Sequence, residues 1–314
     1  MEYFALRLYG RHTMPIKTIA VRSFSSRHGC PQFCAPPIET VLTHLAEIPA
    51  NRSLIDDMGG IEIASQTLTS QISNALYTST FQTTKYGQPF AEPYIISFCT
   101  THNQEIATHG LLSQWRGYGM DGGYAIVFDT KRLATLLEED HKHWRDFILQ
   151  ADAIYSSDSD DKIRGELGDD FDAIANSISR FLLSDGSADA LEPIYYALVK
   201  CASRYKHWGF HEEKEVRIVV IPHSKQVLQF TKPEWRATHE RPLGYFPRAG
   251  TPVPFINLFE GITHLPDKPL PITRIIVGPH PEKDKRKHAV ERLLSRYGLP
   301  IPVSASQIPF LGRS

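Results

Sequence analysis

Two short stretches of this sequence carry most of its reactive side chains. The first, Lys206-His-Trp-Gly-Phe-His-Glu-Glu-Lys-Glu-Val-Arg217, runs into a strongly apolar segment. If a strand begins there, Glu213 and Glu215 project from the same side and Arg217 follows on that side. Three charged groups in one row are costly to bury unless they meet each other or a ligand. The row therefore lines a cleft, lies at the surface, or closes on itself as a salt bridge of Glu215 with Arg217 or with Lys206. The second stretch groups Ser113, Gln114, Trp115, Arg116, Tyr118 and Gly119, then Gly122, Gly123 and Tyr124, with Ser97 upstream. Glycines let a backbone approach a ligand closely, and aromatic rings offer a face to a planar group. A nucleotide-like ligand suits that mixture; equally, Trp115 and Tyr118 can be core residues and the glycines a turn. The dinucleotide fingerprint is absent, because Gly117, Gly119, Gly122 and Gly123 follow a helical pattern instead of a strand.

Other motifs carry less. His207 and His211 have helical spacing, but Gly209 lies between them and no third ligand is evident. Cys30 and Cys34, with His28 nearby, lack the second Cys/His pair of a closed zinc site. The acidic stretch Asp158 to Asp170 lacks the ligand spacing of a calcium loop and reads as a solvated loop. No metal is expected, and the lack of a compact Asp/Glu/His triad weighs against a nuclease or phosphodiesterase. A basic helix from Glu282 to Tyr297 mixes Lys283, Lys285, Arg286, Lys287, His288 and Arg292 with Glu282, Asp284 and Glu291, the pattern of a solvated face.

The elements that must hold the two stretches follow from patterning. Strands are expected at Tyr94–Phe98, Tyr124–Phe128, Val216–Ile221, Ile272–Val277 and Ile301–Ser304, from their aromatic and β-branched content. Helices are expected at Lys131–His143, Asp170–Leu183 and Leu191–Tyr205. Residues 1–60 show weak periodicity, Pro36-Pro37 as a breaker and one helix from Ile38 to Leu45. The expected fold class is α+β: a mixed, mainly antiparallel sheet with a helical insert at about 131–205, residues 1–90 forming a poorly defined cap and 91–314 the main domain. The strands at Tyr94, Tyr124 and Val216 should share one sheet, since only then do the two reactive stretches meet.

Composition sets the outer limits. A chain of 314 residues with 41% hydrophobic and 22% charged residues can bury about 75% of its unfolded surface, which excludes disorder as the main state. With 34 basic and 35 acidic residues the net charge is -1, so no global field draws the chain to nucleic acid or anionic lipid. Apolar runs fall far short of the roughly 20 residues that span a bilayer, so no membrane association is expected. The N-terminus has several Arg and Ser but lacks the continuous apolar core of a secretory signal. Four cysteines are too few for a disulfide framework, which suggests a cytoplasmic protein with reduced thiols.

In order along the chain, Ser97-Phe98, Leu112-Ser-Gln-Trp-Arg-Gly-Tyr-Gly119, Gly122-Gly-Tyr-Ala-Ile-Val-Phe-Asp129, Lys206, Phe210-His-Glu-Glu-Lys-Glu-Val-Arg-Ile218, Ile275-Ile-Val-Gly-Pro279 and Val303-Ser-Ala-Ser-Gln-Ile-Pro309 resemble the bacterial domain of unknown function 2971 family, over about residues 94–314. That family's usual N-terminal strand and Asn-Asp turn have no evident counterpart in residues 1–90. The paired glutamates entering a strand, with aromatics on a glycine-rich turn, are also similar to the parts of mono-ADP-ribosyltransferases. This second resemblance implies an ADP-ribosyltransferase-like sheet with no permanently bound cofactor and NAD as co-substrate. Glu215 would stabilise an oxocarbenium-like transition state and Glu213 would orient the acceptor. Trp115 or Tyr118 would stack on nicotinamide, and Ser97, Ser113, Gln114, Gly119 and Arg217 would complete the cofactor-binding set. The acceptor, protein or nucleic acid, is left unspecified. The alternative is a non-catalytic recognition domain that binds a nucleotide or peptide in the same cleft, with Glu215 and Arg217 as an internal ion pair.

Overall fold

Strand β3 (Tyr94–Cys99) is the axis of a 10-stranded sheet. The structure, a computed structural model, describes residues 3–6, 19–23, 42–43, 46–47, 49–67, 69–70, 93–119, 122–155, 157–183, 192–222, 240–248, 250–262 and 270–309. One edge of β3 pairs along its whole length with antiparallel β8 (Glu215–Ile221), in the register Tyr94↔Val220 to Cys99↔Glu215. The far edge of β8 pairs antiparallel with β5 (Phe147–Asp152). The other edge of β3 is shared: β1 (Tyr3–Leu6) meets it at Cys99, and β2 (Ile19–Ser23) meets it at Tyr94 and Ile95. Two wings grow from these. Beyond β1 lie β4 (Tyr124–Asp129), β11 (Ile272–Val277) and the parallel β12 (Val303–Ala305). Beyond β2 lie β10 (Thr251–Leu258) and β9 (Leu243–Arg248). A separate parallel pair joins β6 (Ile154–Tyr155) to β7 (Tyr205–Lys206). The α+β class with a mainly antiparallel sheet is as expected, and the strands at Tyr94, Tyr124 and Val216 do share one sheet.

Both faces of the sheet are covered where β3 and β8 meet. Tyr94, Ile96 and Phe98 pack with Val216, Ile218 and Val220 on one face, against Leu133 and Leu137 of the helix Thr130–Trp144. Phe98 meets Phe128 edge to face at 5.8 Å. The opposite face carries Ile95, Val219, Ile221, Phe147 and Leu149, capped by Val199 of the helix Glu192–Arg204. Every residue of β8 is buried, so the two charged residues of that strand, Glu215 and Arg217, must find partners inside the protein. Opposite register partners share a face, so Arg217 stands beside Ser97 and Glu215 beside Cys99.

The helices among the described residues include, in chain order, α1 (Pro49–Asp57), α2 (Gln104–His109), α3 (Leu112–Tyr118), α4 (Thr130–Trp144), α5 (Asp160–Leu183), α6 (Glu192–Arg204) and α7 (Lys283–Arg296). Several departures from the sequence expectation have a clear physical origin. The acidic stretch expected to be a loop is helical from Asp160, because Ile163, Leu167, Phe171 and Ile174 recur at helical spacing and pack against Ala197 and Cys201 of α6. The stretch between α4 and α5 is not helical: β5 lies there and extends the main sheet. The proline-rich segment after Arg241 forms the hairpin β9–β10, with Pro247 on the edge strand, where a missing N–H does no harm. Pro252 and Pro254 of β10 precede Phe255, where pairing to β2 begins. Within residues 1–90, β1 and β2 join the main sheet, while the helix expected at Ile38–Leu45 and the Cys30/Cys34 pair lie largely outside the described residues.

A second charged cluster is fully enclosed. Arg241 donates through Nε to Asp146 at 2.7 Å, through Nη2 to Asp140, and through Nη1 to the Asn257 carbonyl at 2.8 Å. The Phe259 N–H also donates to Asp140 at 2.7 Å, and Trp144 lies 5.0 Å under the Arg241 guanidinium. The cluster ties the end of α4 to the β10 wing.

Gly278 sits where two backbones cross. Its N–H donates to the Gly123 carbonyl at 3.1 Å, and a Cβ there would lie 1.6 Å from the Gly122 carbonyl oxygen and 2.8 Å from the Trp115 ring. Gly278→Ala should therefore lower stability in urea by about 3 kcal/mol or more, the upper part of the overpacking range. A loss below about 0.5 kcal/mol would mean that the crossing is not fixed.

Candidate functional site

The site forms where α6 ends and β8 begins. After α6 the chain makes β7, then a 3-10 turn, Trp208–Glu213. His207 caps that turn by accepting from the Gly209 N–H through Nδ1 at 3.1 Å. Lys214 closes it with φ 40°, in the left-handed region, and its carbonyl accepts from Thr100 N–H at 3.1 Å and Thr100 Oγ1 at 2.7 Å. The strand therefore starts at Glu215, and Glu213 belongs to the turn; the two carboxylates do not share a strand face as in the simplest reading of the sequence. They converge instead on one ammonium. Lys206 Nζ donates to Glu213 Oε2 at 2.6 Å and also to Glu215 Oε2.

Glu215 is enclosed on all sides. It is 4% exposed. Arg217 grips it with Nε to Oε1 at 3.1 Å and Nη2 to Oε2 at 3.2 Å. The Ser97 hydroxyl adds a further hydrogen bond. The Glu215 backbone N–H donates to the Tyr155 hydroxyl at 2.9 Å. Burial alone would raise the Glu215 pKa, but the Arg217 charge and the hydrogen bonds from Arg217, Lys206 and Ser97 outweigh it and hold the group below its ordinary 4.5. Arg217 in turn donates through Nη1 to the Ser203 carbonyl, satisfying a carbonyl in the last turn of α6 and placing its charge at the favourable end of the helix dipole. Lys206 is held protonated above its ordinary range: burial works against the charge, and the hydrogen bonds and charges of Glu213 and Glu215 prevail. Cys99, the register partner of Glu215, has its thiol pushed up to about 12 by burial first and then by the charges of Glu213 and Glu215, which makes it a poor nucleophile.

The α3 segment approaches from the other side. Tyr118 OH donates to Glu213 Oε1 at 3.5 Å, linking the two reactive stretches. Between them lies an open cavity of about 250 Å³, with Ser113, Gly117 and Tyr118 of α3 on one wall and Gly209, Phe210, Glu212 and Glu213 of the turn on the other. Tyr118, Phe210 and the neighbouring Trp208 are 39%, 47% and 55% exposed. Lys206 lies 5.0 Å from the Phe210 ring centroid.

The structure thus brings Ser113, Tyr118 and Glu213 to the cavity, with Glu215, Arg217 and Ser97 in the network behind it. Trp115 is elsewhere. Its ring is buried, Nε1 donates to the His109 carbonyl at 3.0 Å, and a Cβ on Gly110 would fall within 2.6 Å of the ring; it packs under a glycine floor and stacks on nothing in the cavity. Gln114 is half-buried and Gly119 caps α3 through its N–H to the Trp115 carbonyl at 2.9 Å; neither lines the cavity. Gly209, Phe210 and Glu212 are lining residues that the sequence offered only as neighbours of the glutamates. Tyr155 had no sequence signal, because β6 is two residues long. On α7, Lys285 meets Glu282 at 2.6 Å and Lys287 meets Glu291 at 3.7 Å, as a mixed solvated face would.

Residues 114–218 match the model of a family described as a protein of unknown function, DUF2971. The matched segment starts in α3 and ends in β8, and so takes in Tyr118, Lys206, Glu213, Glu215 and Arg217. No curated protein and no solved structure matches the chain. Among the described residues, no helix is long and apolar enough to cross a membrane.

Two outcomes follow from the network. Arg217→Ala leaves Glu215 buried without its main partner and should cost on the order of 3–5 kcal/mol in urea unfolding; a cost near 1 kcal/mol or less would class the pair with exposed ones. Because Glu215 holds its proton less readily when folded, it adds stability above pH 4.5 that is lost as pH falls through its lower folded value. Unfolding curves taken from pH 6 downward should show that acid-dependent component in the wild type, and its loss in Glu215→Gln.

Proposed function

We propose that this chain, which belongs to the DUF2971 family through residues 114–218, is a recognition domain that binds a ligand group in the cavity between α3 and the Trp208–Glu213 turn. The observation that carries this reading is the division of labour between the two carboxylates. Glu215 spends both oxygens on Arg217 and Lys206 and is buried. A carboxylate so saturated and so firmly ionised neither exchanges a proton near neutrality nor accepts a hydrogen bond from an incoming group; it positions Lys206, which positions Glu213. Glu213, Tyr118 and Phe210 face the cavity. A volume of about 250 Å³ is smaller than the roughly 300–1,000 Å³ of typical small-molecule sites. It suits one ring or side chain of a nucleotide or peptide.

A second reading keeps NAD as substrate, favoured by the Glu213 carboxylate beside Tyr118 at the cavity. Here Glu213, and not Glu215, would stabilise the positive charge that develops on the ribose as the bond to nicotinamide breaks. The bonding pair leaves with nicotinamide, and water or another acceptor supplies the new bond to ribose.

Thermal shift and calorimetric titration with nicotinamide, AMP, NAD and short peptides test the first reading. A ligand at about 100 times its Kd should add about 2.7 kcal/mol of stability, and Tyr118→Ala and Phe210→Ala should abolish the ligand-induced shift, each measured against its own ligand-free melting curve. If no ligand of either class shifts the melting curve, the recognition reading falls. Nicotinamide release from NAD that disappears in Glu213→Gln would establish the second reading.

A further inference from the structure

The lining of the cavity is one-sided in charge. Of its described lining residues, Glu212 and Glu213 are acidic, Tyr118 and Phe210 are aromatic, and none is basic. Two cations behind the cavity are already committed: Lys206 to Glu213 and Glu215, and Arg217 to Glu215 and the Ser203 carbonyl. They balance Glu213 and Glu215 and leave Glu212 over. Glu212 is exposed, and its side chain makes no hydrogen bond or ion pair among the described residues. Arg116 and Lys214 are exposed but lie outside the lining. A phosphate entering here would meet two carboxylates and no cation among the described lining residues; a positive group would meet two carboxylates and the partly exposed Tyr118 and Phe210.

We infer that the cavity between α3 and the Trp208–Glu213 turn takes a guanidinium group, presented by an arginine side chain or by a free arginine-like molecule. This inference rests on the recognition reading of the same cavity and names its ligand class. A cation suits the aromatic pair, since charge over a ring face is attracted to it. Guanidinium suits better than ammonium because it is flat enough to lie against Tyr118, is weakly hydrated, and aims several N–H donors at once at carboxylates. Lys206 holds Glu213 from behind at 2.6 Å, so one carboxylate is fixed in advance while Glu212 supplies the uncompensated charge. The volume of about 250 Å³ admits a single side chain and not a whole dinucleotide.

The test uses the full chain and three probes: a five-residue glycine peptide with a central arginine, the same peptide with neutral, isosteric citrulline, and arginine amide alone. The arginine peptide should bind at least tenfold more tightly than the citrulline peptide, and this preference should shrink as salt rises from about 50 to 200 mM. Glu212→Gln removes an exposed charge outside the buried network. It should weaken arginine-peptide binding about tenfold while leaving the melting temperature and citrulline binding unchanged. Arginine amide matching the peptide would identify a free molecule as the source, and a tighter peptide would identify a protein. Equal affinity for the arginine and citrulline peptides, or no effect of Glu212→Gln, overturns the inference. Binding of nicotinamide or AMP that is lost in Tyr118→Ala, with no arginine binding, overturns it while the recognition reading survives. If no probe of any class binds, both fall.

Discussion

The interaction on which this structure most depends is the grip of Arg217 on Glu215 inside a fully buried strand. β8 pairs with β3 on one edge and β5 on the other, and helices cover both faces, so its charges have no route to water. Arg217 resolves the constraint in two directions at once. Its Nε and Nη2 neutralise Glu215, while Nη1 takes up a carbonyl at the end of α6. From there the constraint propagates outward: Glu215 helps fix Lys206, Lys206 fixes Glu213, and Glu213 meets Tyr118. The cavity wall is the last link of a chain that begins in the core.

The Arg241 cluster obeys the same rule at the C-terminal end of α4. One guanidinium serves Asp140, Asp146 and a backbone carbonyl, and it lies over Trp144. Both clusters sit at helix C-termini and tie a helix to a distant strand. Removing one partner from either is costly because it strands a charge, although replacing a whole cluster with apolar groups need not be. Their difference is reach: the Arg241 cluster is closed, whereas the Arg217 network ends at solvent through Glu213.

Much of the frame was legible in the sequence because the central strands are rich in β-branched and aromatic residues at positions that cannot be helical surface. Tyr94–Cys99, Tyr124–Asp129 and Glu215–Ile221 follow that pattern. What was hidden depends on long-range pairing. β6 has two residues and β1 four, too few for a period to show, and β5, as long as β3, ends in Gln-Ala-Asp without the β-branched run of the central strands. In α5 the apolar face of Ile163, Leu167 and Ile174 was masked by intervening acids. At the site, the sequence marked Glu213, Glu215, Arg217 and Tyr118 as reactive. It could not tell which carboxylate faces outward, since that turns on the left-handed Lys214. Nor could it tell that Trp115 lies on a floor of glycines, since Gly278 comes from a strand end far along the chain.

The shared edge of β3 has a consequence for how the protein is made. On that edge β3 forms one residue pair with β1 and two with β2, whereas its full-length partner is β8. Residues 94 and 220 are register partners, so at about 5–20 residues per second the ribosome needs roughly 6–25 s after making β3 before β8 exists. For that interval an apolar strand has a largely open edge, the condition that favours pairing between different nascent chains. Chain elongation rate and chaperone supply set how long that edge stays open and how well it is shielded.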